Sequence, residues 1–123
     1  MTKLASRSSR LEKRKLRVRQ KLHGLPDKPR LSVFRSARHI YVQAIDDTAG
    51  KTLAAASTCD KDIRKALDGY PGNRESATVV GRVIAERLLK LGVKRAVFDR
   101  GGNRFHGRIK ALAEAAREGG LQF

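Results

Sequence analysis

The chain has 123 residues, of which 28 are Lys or Arg and 12 are Asp or Glu, for a formal charge of +16 and a sequence pI near 11.1. That length allows one folded core and excludes two independent ones. So large a charge on so small a body repels itself unless a polyanion is near, which puts nucleic acid first among partners and an anionic membrane surface second. The single Cys59 excludes an internal disulfide, and no Cys/His set has zinc-ligand spacing, so the expected setting is the reducing cytosol, without a structural metal and with Cys59 as a small inert filler.

Residues 1–30 hold 11 Lys or Arg against Glu12 and Asp27, a net of +9. Leu4, Leu11, Val18 and Leu22 fall on one narrow stripe at helical spacing, and basic residues fill the rest of the circumference. So thin a stripe buries little, and like charges at helical spacing repel. The expectation is a basic arm over residues 1–28 that is frayed or disordered alone and helical against a polyanion. The stripe is too narrow for a membrane-surface helix, and no apolar run has the length of a membrane span or a secretory signal. The start MTKLASRSSR also suits a transit peptide, but its basic pattern runs straight into the folded part.

Gly24, Pro26 and Pro29 break any helix and mark the start of a globular part over residues 29–123. In RLSVFR, Leu31 and Val33 alternate with Arg30, Ser32 and Phe34; in HIYVQAI, Ile40, Val42 and Ala44 alternate with His39, Tyr41 and Gln43. The short link RSAR and the turn DDTAG then join three strands, the third being KTLAAAST, into an antiparallel meander. One face of it is aliphatic, and the other carries Arg30, Ser32, Phe34, His39, Tyr41 and Gln43. Helices are expected over Asp60–Leu67, Ser76–Leu91 with Gly92 as its stop, and His106–Glu118 closed by Gly119 and Gly120. Lys94–Asp99 reads as a last strand reached by a right-handed crossover and therefore parallel to its neighbour. The fold class is α/β, a three-stranded meander extended by a crossover strand with helices packed on the sheet.

Two stretches carry candidate chemistry. On the polar sheet face, Phe34 and Tyr41 stand among Ser32, Arg35, Arg38, His39 and Gln43, which combines stacking surfaces with phosphate and base-edge donors. The alternative is that both rings are core residues under a covering helix; the arm, which enters this strand through Arg30, favours the first reading. The second stretch is AVFDRGGNRFHGRIKAL, where Gly101 and Gly102 sit between a strand and a helix with Arg100, Arg104 and Arg108 around them. Backbone N–H groups, a helix N-terminus and guanidinium forks together suit phosphate, although the same residues also make a tight turn with solvated arginines. The spacing matches neither a Walker loop nor a dinucleotide fingerprint, so no cofactor is expected.

A metal-dependent nuclease is the rival from another class, since Asp46, Asp47 and Asp99 are able to meet at one end of the sheet and bind Mg²⁺. No glutamate lies nearby in sequence to complete a carboxylate set. Asp46 and Asp47 begin a turn, and Asp99 is placed to orient arginines or to accept from a ribose hydroxyl. The three histidines show no nucleophile at a diagnostic spacing. No catalytic residue and no metal ligand is assigned.

Three runs go beyond generic pattern: RKLRVRQKLHG, KPRLSVFRSARHIYVQ and FDRGGNRFHGRIKALAEAAREGGLQF. In this order and separation they closely resemble the family of bacterial large-subunit ribosomal protein eighteen, over nearly the whole chain. The resemblance implies a non-enzymatic cytoplasmic protein, one copy per large ribosomal subunit, that binds 5S rRNA and helps place it against 23S rRNA in the central protuberance, near large-subunit protein five. It also implies a fold related to ribonuclease H, although a shared fold is weak grounds for a shared activity. Carried over by position, the RNA contacts would be Arg14, Lys15, Arg17, Arg19 and Lys21 in the arm. On the sheet they would be Arg30, Ser32, Phe34, Arg35, Ser36, His39, Tyr41 and Gln43, and in the final turn Arg100, Gly101, Gly102, His106 and Arg108. At Asn103 and Phe105 the chain departs from the aromatic or basic residue and the tyrosine expected there.

Overall fold

The computed structural model describes residues 23–67, 73–102 and 104–123. Most of the expected arm, including Arg14, Lys15, Arg17, Arg19 and Lys21, lies outside them, as does Asn103. The described elements run β1 (Arg30–Arg35), β2 (Ile40–Asp46), β3 (Lys51–Ser57), α1 (Lys61–Ala66), α2 (Arg74–Lys90), β4 (Val97–Asp99) and α3 (Gly107–Glu118). They form a four-stranded sheet in the order β3-β2-β1-β4. The meander is antiparallel throughout, and β4 joins β1 in parallel, with Arg30 opposite Val97 and Ser32 opposite Asp99.

The period-two pattern places its residues as expected. Leu31, Val33, Ile40, Val42 and Ala44 are all 0–1% exposed and form the sheet's side of the core. Val80, Ile84 and Leu88 of α2 and Ile109 and Leu112 of α3 form the other side. Burying a cluster of Leu, Ile and Val at roughly 1.5–3 kcal/mol each is what holds the helices against this one face. The helices themselves touch closely: a Cβ built on Gly81 would lie 2.3 Å from the Leu112 carbonyl oxygen and 2.9 Å from the Ala115 Cβ. Gly119 meets Ala85 in the same way further along. Two such contacts in the same sense mean that α2 and α3 run in the same direction.

Where bounds differ from the sequence expectation, a local bond explains it. The second helix starts at Arg74 rather than Ser76 because the Asn73 side chain accepts from the Ser76 N–H at 2.9 Å and caps it. The last strand is only Val97–Asp99 because its neighbour upstream of Arg30 is Pro29, which accepts from Val97 but has no N–H to give back. Arg95 instead bridges to Gln122 near the C-terminus. An irregularity between Ala44 and Ile45 leaves Leu53 as an extra residue on β3, a β-bulge in the meander. Cys59, expected as a small inert filler, is exposed.

Candidate nucleic-acid interface

The sheet face away from the helices carries the first candidate group. Phe34 and Tyr41 are direct cross-strand partners, and their rings stack with centroids 4.6 Å apart and planes 14° off parallel. Phe34 is 45% exposed, so the rings are an open stack rather than core under a helix. Tyr41 and Ser32 are half-buried, and Arg35, Ser36, Arg38 and Gln43 are exposed. The turn between β1 and β2 is fixed by Ser36, whose N–H donates to the His39 carbonyl at 2.9 Å and whose Oγ accepts from the His39 N–H at 3.1 Å. That turn directs Arg35 and Arg38 outward at the same end as the rings.

Sequence reasoning missed what stands behind this face. Thr58 is fully buried, and its Oγ1 lies 2.8 Å from His39 Nδ1 while accepting from the Ile40 N–H at 3.3 Å. The His39 ring is thereby held 6.3 Å from Tyr41. The Cys59 Sγ and the Tyr41 hydroxyl lie 3.7 Å apart, and this sulfur neighbour, which favours the neutral phenol over the phenolate, holds Tyr41 above its ordinary pKa. No local signal pairs Thr58 with His39, because they meet only when β3 returns beside β2.

Arg30 is the main correction to the expected face. Its position on the strand is as read, but it is only 6% exposed. Its Nε and Nη2 donate to the two carboxylate oxygens of Asp47 at 2.9 and 3.0 Å, and its Nη1 donates to Asp99 Oδ2 at 2.7 Å. The guanidinium fork is thus engaged by protein carboxylates. Its donation holds Asp47 well below the usual carboxylate range, at about 2. Asp47 also accepts from the Gly24 N–H at 2.7 Å, and the Asp47 N–H returns a bond to the Gly24 carbonyl. Residues 24–28 are therefore fastened to the end of β2.

This arrangement also accounts for the carboxylates that suggested a nuclease. Asp47 and Asp99 do converge, but on a guanidinium. Asp46 faces the turn, accepting from the Thr48 and Ala49 N–H groups. Among the described residues no group of three or more His, Cys, Asp or Glu is placed to hold a metal ion.

The final turn is built as the glycine pair requires. Gly101 and Gly102 both have positive φ, 64° and 79°, a backbone that residues with a Cβ rarely adopt. One of the two N–H groups is used internally, since Gly101 donates to Asp99 Oδ1 at 2.8 Å. Asp99, 1% exposed, thus orients both Arg30 and the turn, and its burial rules out the ribose contact considered for it. Arg100, Arg104 and His106 are exposed, and Arg108 is half-buried with its Nη1 shielded and without a hydrogen-bond partner among the described residues. Phe105 packs edge-on against Phe98 at 6.1 Å, on the rim of the core.

The parallel pairing brings the two candidate stretches to one end of the molecule. Because Ser32 lies opposite Asp99, the chain leaves β4 for Arg100–Gly102 where β1 leaves for Phe34 and Arg35. The helices α2 and α3 run antiparallel to β4, so both N-termini also face this end. Between them is a cavity of about 240 Å³ lined by Arg74, His106, Gly107, Lys110, Ala111 and Glu114. Two helix N-termini add partial positive charge to those side chains. The ensemble is chemically suited to bases on the aromatic stack and phosphates beside it, and among the described residues no helix is long and apolar enough to cross a membrane.

Comparison with known proteins adds an independent line. The chain is 54% identical over 123 residues to the large ribosomal subunit protein uL18 of Symbiobacterium thermophilum, covering all of both chains. It is equally close to that of Kosmotoga olearia, again over the whole of both, and 58% identical over 119 residues to that of Bacillus cytotoxicus, covering 97% of each. Residues 5–123 match the family described as "Ribosomal L18 of archaea, bacteria, mitoch. and chloroplast". On this match, and with a fold and a basic surface of the kind the sequence led us to expect, the chain belongs to the ribosomal L18 family, whose members are structural constituents of the ribosome rather than enzymes.

Proposed function

We propose that this chain is a cytoplasmic constituent of the large ribosomal subunit that binds 5S rRNA and helps attach it to 23S rRNA in the central protuberance, as a single copy near large-subunit protein five. The observation that carries the RNA reading is the open Phe34–Tyr41 stack, flanked by Arg35, Arg38 and the glycine turn at one end of the sheet. Aromatic platforms beside guanidinium groups are how unstacked RNA bases and their phosphates are held. The strand order β3-β2-β1-β4 with β4 parallel supports a relation to the ribonuclease H topology, and the placement of Arg30 between Asp47 and Asp99 favours binding over metal-dependent cleavage.

In this reading the arm captures RNA by charge and the sheet face supplies shape. Phosphate neutralisation releases counterions, so affinity falls steeply with salt. Arg30 acts from inside by fixing the chain that leads from the arm into β1, and Arg14, Lys15, Arg17, Arg19 and Lys21 supply the direct contacts of the arm. Gly24 is bonded to Asp47, so the deletion that isolates the arm ends at Leu22. Filter binding of 5S rRNA across a salt series should give a markedly shallower slope for that deletion than for the full chain. Equal slopes would remove the arm from the mechanism. A pull-down from cell extract should return 5S rRNA as the dominant RNA, and its absence would overturn the reading as a whole.

A further inference from the structure

The opposite end of the molecule holds a second feature. At the N-terminal end of β4 and the C-terminal end of α3, a groove of about 450 Å³ is lined by Lys28, Arg95, Val97, Phe98, Arg117 and Phe123, together with Ala96 and Gln122. That volume falls within the range of small-molecule sites, roughly 300–1,000 Å³. Its floor is a ladder of flat groups. Phe98 and Phe123 stack with centroids 5.5 Å apart and planes 9° off parallel, and the Arg117 guanidinium carbon lies 4.6 Å from the Phe123 centroid. Arg117 Nε donates to the Phe123 carbonyl at 3.2 Å, which ties the guanidinium to the terminal residue below it. Lys28 and Arg95 add cationic charge to the lining, and Arg95 pairs at 3.2 Å with Asp27 at the surface.

We propose that this groove is a second RNA-binding site, which takes a nucleotide of a single-stranded segment with its base on the Phe98–Phe123–Arg117 ladder and its phosphates towards Arg95 and Lys28. Charge complementarity selects a polyanion, since among the described residues Lys28, Arg95 and Arg117 line the groove and no Asp or Glu does, the nearby Asp27 offsetting only Arg95. The ladder selects a planar ligand, because RNA bases stack on aromatic rings and on guanidinium planes alike. The strand edge disfavours a peptide joining the sheet: the outward Ala96 N–H already donates to the Gln122 carbonyl, and the Gln122 N–H donates to Lys94. The inference extends the RNA-binding reading by giving the protein a site for a second RNA segment, at the far end from the Phe34–Tyr41 face.

The test is a titration of a fluorescent ten-nucleotide single-stranded RNA onto the full-length protein, free and in complex with 5S rRNA. Arg95→Gln with Arg117→Gln should weaken this oligonucleotide about tenfold, the scale of one lost stacked base with its phosphate contacts. The 5S rRNA affinity should stay within about twofold by the same scale. A control of equal charge loss, Lys61→Gln with Arg64→Gln on α1, should leave the oligonucleotide unaffected. Phe123→Leu, which keeps apolar bulk and removes the ring, should also weaken it. Equal oligonucleotide binding by the Arg95/Arg117 variant and the control overturns the site. An unchanged Phe123→Leu affinity overturns the stacking, and stronger competition by decaglutamate than by unlabelled RNA assigns the groove to an acidic protein instead. The free-protein arm reads the groove whether or not 5S rRNA binds, so this inference and the proposed function fail separately.

Discussion

Arg30 and Phe34 stand on the same strand and, by the parity of its pleat, on the same face, yet one is 6% exposed and the other 45%. The difference lies in what the rest of the chain brings to each end of β1. At the Arg30 end, the turn after β2 delivers Asp47 and the parallel strand delivers Asp99, and the guanidinium is enclosed by carboxylates. At the Phe34 end, the only ring partner among the described residues is Tyr41 across the strand, and the stack stays open with Phe34 45% exposed. One end of the strand is thus an internal electrostatic anchor and the other an open platform. Variants at the two ends should fail in different ways.

The largest effect is expected at the anchor. Arg30→Met takes the guanidinium away from the buried Asp99 carboxylate, and breaking a buried pair in this way costs about 3–5 kcal/mol. Urea denaturation should show that loss as a lower midpoint with an unchanged slope. Adding Asp99→Leu, which removes the buried carboxylate but also the acceptor of the Gly101 N–H, should recover part of it. A loss below about 1 kcal/mol for Arg30→Met, the scale of an exposed ion pair, would mean that the cluster is not an anchor. Phe34→Ala with Tyr41→Ala should do the reverse. An exposed cross-strand pair contributes about 1 kcal/mol or less to stability, whereas each base stacked on an aromatic ring is worth about 1–3 kcal/mol of affinity. Competition binding should therefore show a fold near its wild-type stability with eroded preference for 5S rRNA over other RNAs. Unchanged discrimination would remove the platform from recognition.

Acid sharpens the same contrast. Asp47 has an ordinary value of 3.8 and lies at about 2 in the fold, held down by Arg30 and the Gly24 N–H. A carboxylate depressed on folding contributes stability that is present above its ordinary value and is lost as pH falls through the folded one. With the Asp47 side chain 22% exposed, that contribution is at most about 2 kcal/mol. The stability gap between wild type and Asp47→Asn should be full at pH 6 and close progressively between about pH 4 and pH 2. A gap that does not change with pH would assign the Asp47 effect to packing rather than to its charge.

Much of this fold could be read from residue order, because its elements announce themselves locally. The alternation around Leu31, Val33, Ile40, Val42 and Ala44 has a single pleated solution, and the length of the segment between Cys59 and Lys94 requires a parallel crossover. Asn73 shows the limit of that reading: it lies three residues before the expected helix start, at the edge of a Gly/Pro-rich loop, and only its bond to the Ser76 N–H reveals it as the cap. The candidate site was legible where its chemistry is local, as in the Phe34–Tyr41 register and the Gly101–Gly102 turn. Arg30 was misjudged because its partners are 17 and 69 residues away, and pleat parity says which face a side chain occupies but not what covers it. Thr58 was missed for the same reason, 19 residues from His39.

Thr58 carries the smallest expected effect and the finest test of how the platform is held. Its buried hydroxyl bonds His39 Nδ1 at one edge of the platform and the Ile40 N–H beneath it. Valine fills the same volume without the hydroxyl, so Thr58→Val should cost about 1 kcal/mol, the loss of a buried bond with an N–H left short of a partner. Thr58→Ser, which keeps the oxygen and drops a methyl, separates the bond from the packing. If His39 is positioned for RNA through this bond, 5S rRNA affinity should fall a few-fold in the valine variant, less than in Phe34→Ala with Tyr41→Ala, and recover in the serine variant. Equal affinities for all three proteins would make Thr58 a support of the fold alone, with the Phe34–Tyr41 stack acting without the histidine.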